Sequence, residues 1–570
     1  MDTLVLICML LAIALIIIIY GSLRNRKLRK YEIERIKNGY GKPCDRKYDD
    51  GVYEHIQGYF RVHCNVTDNG TAGLNKDSMY FVDDITWNDL NLDEIYRSIN
   101  HTESSAGDEY LYYLLRNPRP GVCDTQRLEE LATHYHDDGQ SRLDMAVRLH
   151  DVGRTGKYSI YDYINNLDVL KDRSAVKEYA LLAAYAAGIL FTIFVNRTFG
   201  AILLVFALIY GGISYFARKS EIEPYVVSFS YILRLIRGMD LVIGSKDAFI
   251  QREREEIKQA VRNMADFTRM SGLVLNRTSD SGNPIELVMD YIRMFTHIDI
   301  IKFFHMRDEV DRHREDIDRL LTITGFIDAS MAISSYRASL KTYCRPSFSS
   351  EGIVSEGIYH PLLTDPVAND IELHRGMLLT GSNASGKSTM LRTIAVAAIM
   401  AQSISTVCAE SYSAPYFRVY TSLALNDSIL KGESYYMTEI RSLKRIIDAG
   451  KDRETPILGC VDEVLRGTNT VERISASAVI MRQLSDVNGI ILAATHDLEL
   501  TGLLEDCYDN RHFEETVVDG DISFAYKLMP GRATTRNAIK LLDIMGYDKE
   551  LVSEADRMAA RYLESGEYTL

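Results

Sequence analysis

A glycine-rich loop between an apolar run and a helical segment most constrains the fold of this chain. Residues 381–389 (GSNASGKST) have the spacing GxxxxGK[ST], after the apolar run 377–379 and before the helical segment 390–400. Such a loop curls backbone N–H groups round phosphates at a helix amino terminus. We expect Lys387 to neutralise the β- and γ-phosphates of ATP and the Ser388 hydroxyl to ligate Mg²⁺. The predicted ATP-binding residues of the loop are Gly381, Ser382, Asn383, Ala384, Ser385, Gly386, Lys387, Ser388 and Thr389.

A second apolar run ends in two adjacent carboxylates. Residues 457–461 (ILGCV) lead into Asp462 and Glu463, about 75 residues beyond the loop. Phosphoryl transfer needs one group to hold Mg²⁺ and another to orient the attacking water. We expect Asp462 to hold the metal and Glu463 to orient the water.

A third apolar run, residues 490–494 (IILAA), leads into Thr495 and His496. In a parallel sheet, ligands bind at the carboxyl ends of the strands. A lone histidine is more often structural, but three such strand ends indicate one shared site with His496 near the γ-phosphate. The sequence therefore predicts an ATP hydrolase that uses ATP and Mg²⁺.

The carboxyl-terminal part alternates short apolar runs with helical segments, which is typical of an α/β domain with a mostly parallel sheet. We assign residues 353–534 to this P-loop ATPase domain and residues 535–570 to a closing helix-turn-helix. Apolar residues at three- and four-residue spacing predict an all-α core and lever region before it, in two parts at 83–178 and 218–345.

Three uncharged segments predict transmembrane helices at 3–20, 179–195 and 201–217. The first would span about 27 Å as a helix, close to the thickness of a hydrocarbon core. A cleaved signal peptide and a hairpin buried in a soluble core are the alternatives. We favour an anchor at 1–23 and a transmembrane hairpin at 179–217.

Basic residues flank these segments on one side. Arg24 to Lys30 follow the first, and Arg218 and Lys219 follow the hairpin. The positive-inside rule then places the amino terminus outside and both 24–178 and 218–570 in the cytoplasm. A multi-pass protein with about three spans and a cytoplasmic ATPase domain is expected. Residues 24–82 form a cytoplasmic segment to which we assign no role.

Charge and cysteine content narrow the function only slightly. The formal net charge is −14, which gives no bulk attraction to a phosphate backbone, although a local basic groove is compatible with it. The eight cysteines form no CxxC pair and have no zinc spacing, as suits a reducing compartment.

The motifs resemble the ATPase domain of the MutS family of DNA mismatch-repair proteins. The similarity rests on Asn383 in the loop and on four segments, and it covers about residues 350–565, with a fainter match at 83–120. The four segments are 357–362 (GIYHPL), 434–439 (SYYMTE), 462–470 (DEVLRGTNT) and 494–500 (ATHDLEL).

The resemblance implies a helical core and lever region that leads into an ATPase domain, and it implies that the ATPase works as a dimer. Carried over by position, Asn383 joins Glu463 and His496 as a catalytic residue, and Ser434 would reach the γ-phosphate of the partner. Thr468 and Asn469 would lie at the dimer interface. Two further regions have implied roles: His512 would pack near the adenine, and residues 535–563 would brace the dimer.

Two departures from the family leave the ligand open. The region before the helical core has no Phe-x-Glu wedge of the mismatch-reading domain, and residues 179–217 stand where the family has soluble lever sequence. The first hypothesis is a membrane-anchored homodimeric ATPase that clamps DNA in a process related to mismatch repair. The second is a membrane mechanochemical switch that acts on a protein or lipid partner without DNA. A transport ATPase is disfavoured because the motif Leu-Ser-Gly-Gly-Gln is absent.

Overall fold

Helices form the amino-terminal part of the chain, and two sheets lie in the carboxyl-terminal part. The contacts divide the chain into two units: Met1–Asp77, Ile99–Tyr113 and Arg127–Ser339 in the first, and Ser78–Ser98, Leu114–Gln126 and Leu340–Leu570 in the second. The computed structural model describes residues 2–44, 46, 56–64, 80–121, 123–155, 160–165, 167, 174–245, 247–271, 284–382, 385–423, 435–452, 454–465, 469–518, 521–533, 539, 542 and 546–565.

The first unit is all helical over the residues described, as the sequence predicts. Its long helix Arg314–Ser339 is buried on most of its faces, because other helices surround it. The helices up to residue 339, apart from two short ones at 84–99, are Asp2–Gly39, Gly58–His63, Ser105–Arg116, Thr125–Asp137, Gly139–Val152, Ile160–Asn165, Val176–Phe194, Arg197–Ile243, Gln251–Asn263, Ala265–Ser271, Pro284–Thr296, Ile298–Arg312 and Arg314–Ser339.

A polar contact fixes the start of helix Ser105–Arg116 in this unit. Asp328 is buried, and its carboxylate accepts hydrogen bonds from the backbone N–H groups of Glu103 and Ser104 at 2.8–3.1 Å and from the Ser104 hydroxyl at 2.5 Å. Gly107 packs so closely that a Cβ there would lie 2.2 Å from Asp328 Oδ2. Glu103, Ser104 and Gly107 lie in the fainter sequence match at 83–120, and they pack against Asp328 from a distant part of the chain.

The helices Val176–Phe194 and Arg197–Ile243 form the predicted hairpin. Val176–Phe194 and the stretch Arg197–Glu223 are long and apolar enough to cross a membrane, and only 17% of each apolar window is buried. This low burial differs from that of a core helix in a soluble protein, which is mostly buried. Its exposed apolar residues include Leu190, Ile193, Phe194, Phe199, Leu203, Phe206, Ile209, Ile213 and Phe216.

The expected count of about three spans is not supported. The predicted first span lies in helix Asp2–Gly39, but the side chains of residues 1–19 are outside the described part of the chain, so this span stays a sequence-based prediction. Two candidate spans are found among the described residues.

The second unit contains the mostly parallel sheet expected from the sequence. Its six strands lie in the order β10-β9-β4-β8-β7-β6, parallel throughout except for β10, which pairs antiparallel with β9. The strands are β4 Gly376–Thr380, β6 Arg418–Ser422, β7 Ile457–Asp462, β8 Gly489–Ala494, β9 Tyr508–Val518 and β10 Asp521–Pro530. The helices of this unit are Asp84–Asp89, Leu92–Ile99, Lys387–Ile404, Tyr435–Ala449, Thr470–Ser485, Leu498–Leu503 and Lys549–Ser565.

A second sheet was not predicted. Its strands lie in the order β1-β5-β2-β3. Single-sequence patterns miss these strands because they are short and because polar residues such as Ser355 and Asn369 occupy some of their buried positions. The strands are β1 Ser347–Phe348, β2 Ile353–Ile358, β3 Asn369–Leu373 and β5 Ser411–Ala414.

Residues 78–98 and 114–126 belong to the second unit, although the sequence places 83–178 in a single helical part. The physical reason is a set of buried polar contacts. The carboxylate of Asp89 accepts hydrogen bonds from the Thr421 hydroxyl at 2.7 Å and the Leu423 N–H at 2.9 Å. Such long-range contacts leave no periodic signal in the sequence.

We predict that Gly107→Ala lowers the free energy of unfolding by about 1–3 kcal/mol, because the added methyl group would overlap the buried Asp328 carboxylate. Thermal unfolding of the detergent-solubilised chain measures the change. Gly21→Ala is the matched control, since a Cβ there meets nothing within 4 Å. Equal melting temperatures for Gly107→Ala and the wild type would contradict the prediction.

Candidate functional site

Three adjacent parallel strands end at one level of the six-stranded sheet. Leu379 of β4 pairs with Ala494 of β8, which in turn pairs with Asp462 of β7. Because the strands are parallel and in register, the residues that follow each strand meet at one edge. The three motifs predicted from separate apolar runs are therefore neighbours.

Two glycines give the loop after β4 its shape. Gly381 has a φ of +149° and Gly386 a φ of +101°, conformations that other residues adopt only with strain. A Cβ on Gly381 would lie 2.8 Å from Ser385 Oγ, and one on Gly386 would lie 3.2 Å from the Tyr526 ring. Helix Lys387–Ile404 begins directly after this loop, so its amino-terminal N–H groups face the same space.

Lys387 lies at the centre of the site and is 6% exposed. Its ammonium group donates hydrogen bonds to the carbonyl oxygens of Gly381 and Ser382, both at 2.8 Å. It also lies 3.2 Å from Nε2 of His496, which brings the first and third motifs together.

Ser388 and Asp462 meet across the loop. The Ser388 hydroxyl donates a hydrogen bond of 2.5 Å to Asp462 Oδ2. One hydroxyl and one carboxylate oxygen are the donors that suit Mg²⁺, which usually shares its remaining positions between water and phosphate. Among the described residues, no cluster of three or more His, Cys, Asp or Glu side chains could hold a metal ion.

Glu463 and His496 form the other polar contact of the site. Glu463 Oε1 lies 3.1 Å from His496 Nε2, and the Glu463 side chain is the less exposed of the two, at 16% against 37%. Glu463 has a φ of +54° and donates its backbone N–H to the carbonyl of Ala494 at 2.9 Å. The carboxylate is thereby directed towards the loop and away from the strand that carries it.

These groups line a cleft of about 500 Å³. The cleft is also lined by residues that were not predicted from the sequence. They come from the region of the second sheet and from the β9–β10 hairpin, which carry no phosphate-binding motif. The nearest sequence signal was the segment 357–362. The missed lining residues include Tyr359, His360, Leu363, Val367, Asn369, Phe513 and Tyr526.

A buried amide shapes the far wall of this cleft. Asn369 Nδ2 donates to the carbonyl of Tyr526 at 3.0 Å, and its Oδ1 accepts the N–H of Leu528 at 2.8 Å. This holds an irregularity in the pairing of β10, where Tyr526 has a φ of +51° and is 43% exposed. Nearby, burial lowers the pKa of His360 to about 4, so its imidazole is neutral at pH 7.

Several residues predicted by resemblance are placed elsewhere or not described. Asn383, Ala384, Ser434 and Thr468 lie outside the described residues. Asn469 caps helix Thr470–Ser485 by accepting the N–H of Glu472 at 2.9 Å.

His512 is not among the described residues that line the cleft. It is buried, with Nδ1 3.2 Å from the Gly531 carbonyl and Nε2 3.1 Å from Glu514 Oε1. Its sequence neighbour Phe513 does face the cleft, as expected for alternate side chains along a strand.

Comparison with known proteins gives the same assignment for this part of the chain. Residues 377–563 match the family model described as MutS domain V. The chain is 30% identical over 294 residues to a DNA mismatch repair protein MutS of Lactobacillus delbrueckii subsp. bulgaricus. The alignment covers 49% of this chain and 34% of that protein. It is 30% identical over 268 residues to MutS of Thermus thermophilus, covering 45% and 32% of the two chains.

A DNA mismatch repair protein MutS 2 of Haloarcula marismortui is similarly 30% identical over 288 residues, covering 45% of this chain and 30% of that protein. The matches thus span about a third of the length of these relatives.

We predict that Gly386→Ala destabilises the protein more than Gly531→Ala does. Both residues have positive φ, +101° and +91°, so both substitutions strain the backbone by about 1 kcal/mol. Only at position 386 does the new methyl group also press on the Tyr526 ring. Thermal unfolding of both variants measures the difference, and adding Tyr526→Ala to Gly386→Ala should recover part of it. Equal losses in the two glycine variants would refute the proposed contact.

Proposed function

We propose that this chain, a member of the MutS family, binds and hydrolyses ATP as a membrane-anchored homodimer and uses the cycle to open and close a clamp on DNA. The observation that carries the ATPase is the convergence of three strand ends on one cleft. That cleft brings together Lys387, the Ser388–Asp462 contact and the Glu463–His496 pair.

The geometry suggests a role for each group. Lys387 would neutralise the β- and γ-phosphates, and Ser388 with Asp462 would hold Mg²⁺, which supplies charge neutralisation at the phosphate oxygens. Glu463 would orient the attacking water for in-line displacement. His496 contacts both Lys387 and Glu463, so it links the phosphate-binding cation to the water-orienting carboxylate.

The base is best accommodated at the far wall of the cleft. Tyr526 offers a ring that is 43% exposed and could stack on an adenine. We therefore assign the adenine to Tyr526 and Val367 instead of His512, because both line the cleft and His512 is held by Gly531 and Glu514.

The homodimer rests on the family resemblance. Ser434 would complete the partner's site at the γ-phosphate, and Thr468 and Asn469 would lie at the interface. Asn469 is the amino-terminal cap of helix Thr470–Ser485.

Helix directions in the first unit support the membrane anchor. Arg29 of helix Asp2–Gly39 pairs with Asp151, whereas Arg142 lies over the Tyr40 ring at 3.5 Å, so that helix runs antiparallel to Gly139–Val152.

Helix Arg197–Ile243 also runs antiparallel to helix Gly139–Val152. Arg148 donates to the Leu241 carbonyl, and Arg234 donates to the Arg154 carbonyl. The amino-terminal ends of the two long helices, which carry the apolar segments, therefore point in one direction. This is the arrangement that a single bilayer requires of an anchor and a hairpin with the topology expected from the basic flanks.

A membrane switch that acts on a protein or lipid partner is the second candidate. The exposed apolar hairpin favours it, whereas the family favours DNA. The two are separated by the ATPase rate of the detergent-solubilised protein with and without duplex, mismatched and branched DNA at two salt concentrations. Stimulation that weakens with salt would support DNA binding through phosphate contacts. Unchanged turnover with every DNA would favour the switch.

Glu463→Gln should abolish most ATP hydrolysis, by about 100-fold or more, while ATP binding is retained, since the amide cannot act as a base. A nucleotide-bound dimer should accumulate, which size-exclusion chromatography with light scattering measures. The control is Glu454→Gln, an exposed glutamate before β7. Wild-type turnover in Glu463→Gln would show that the assignment is wrong.

Lys387→Ala should weaken ATP binding by about 10- to 100-fold, because the buried ammonium group is lost from the phosphate loop. Fluorescent-nucleotide titration measures the affinity. Lys451→Ala, which removes a surface pair with Asp448, is the control and should bind ATP as the wild type does. Unchanged affinity in Lys387→Ala would remove the support for the nucleotide site.

A further inference from the structure

The turn that carries Glu463 is strained. Glu463 has a φ of +54° and Leu465 a φ of +59°, so two residues with side chains adopt the left-handed conformation within three positions. Such residues cost about 1–3 kcal/mol each and persist only where surrounding contacts hold them. The orientation of the Glu463 carboxylate therefore depends on what holds this turn.

Three elements hold the turn. Strand β8 accepts the Glu463 N–H through the Ala494 carbonyl at 2.9 Å. Helix Thr470–Ser485 contributes the Ser477 hydroxyl, which donates to the Val464 carbonyl at 3.0 Å. Helix Tyr435–Ala449 contributes Glu439, whose Oε1 accepts the Leu465 N–H.

Glu439 is the unusual member of this set. It is 2% exposed, and a buried carboxylate is costly unless it is hydrogen-bonded. A bond from a backbone N–H to an ionised carboxylate is among the stronger hydrogen bonds in proteins. Burying the Glu439 carboxylate costs free energy, and its hydrogen bond to the backbone is strong. Both are expected of a group that holds a strained turn in place.

We propose that Glu439 is a positioning residue: by accepting the Leu465 N–H it fixes the strained turn and, through that turn, the orientation of the Glu463 carboxylate. The proposal rests on the proposed ATPase function. Glu439 is not among the described residues that line the cleft, so it acts through the turn and not on the substrate.

The test compares Glu439→Ala with Glu439→Gln in the full-length, detergent-solubilised protein. Glu439→Ala removes the acceptor, so kcat should fall by about 10- to 100-fold while KM for ATP and ATP-dependent dimerisation stay within about twofold of wild type. Glu439→Gln should recover most of the rate, because its amide oxygen can still accept the Leu465 N–H. Glu454→Ala, an exposed glutamate, is the matched control and should hydrolyse ATP normally.

A kcat for Glu439→Ala within about twofold of wild type would overturn the proposal, as would equal losses in the alanine and glutamine variants or a KM that rises as kcat falls. Ser477→Ala keeps the test decisive if Glu439→Ala does not fold, because it loosens the same turn and should lower kcat alone. A loss of ATPase activity that is seen in the variants but not in the wild type bears on the role of Glu439 alone. A wild-type protein without ATPase activity would instead overturn the proposed function itself.

Discussion

The parallel register of β4, β7 and β8 is the constraint on which the candidate site depends. Leu379, Ala494 and Asp462 lie side by side through backbone hydrogen bonds, so the segments that follow the three strands line one cleft. Backbone pairing fixes these positions before any side chain is considered. Lys387, Glu463 and His496 come within hydrogen-bonding distance although more than 100 residues separate the first from the last. A register shift of one residue in either neighbour of β8 would turn those groups to opposite faces.

Around that sheet edge, the helices supply orientation as well as a core. The residues Val464 and Leu465 are buried in a hydrophobic cluster with Leu443, Ile446 and Met481, so the strained turn after β7 is anchored by packing and by hydrogen bonds together. Burial of these apolar side chains supplies the free energy that holds two left-handed residues in place.

The helical first unit is stabilised by contacts of a different kind. Its core is closed by polar contacts such as that of Asp328 with the start of helix Ser105–Arg116, and apolar side chains are exposed along Val176–Phe194 and the first part of helix Arg197–Ile243. Exposed apolar surface of this kind is costly in water, which is why the proposed function places these two segments in a membrane.

The sequence by itself determined the local features. The spacing GxxxxGK[ST], the apolar runs before Asp462 and His496, and the apolar segments of the hairpin are all short-range patterns, and each describes an element that forms largely from its own residues. Only the tertiary structure decided which distant residues complete the cleft and which brace it. The side chains of Asn369 and Glu439 bond to backbone groups 26 to 159 positions away, and no periodicity records such contacts. For the same reason, the attachment of residues 78–98 to the second unit and the burial of His512 emerged only from the packed chain.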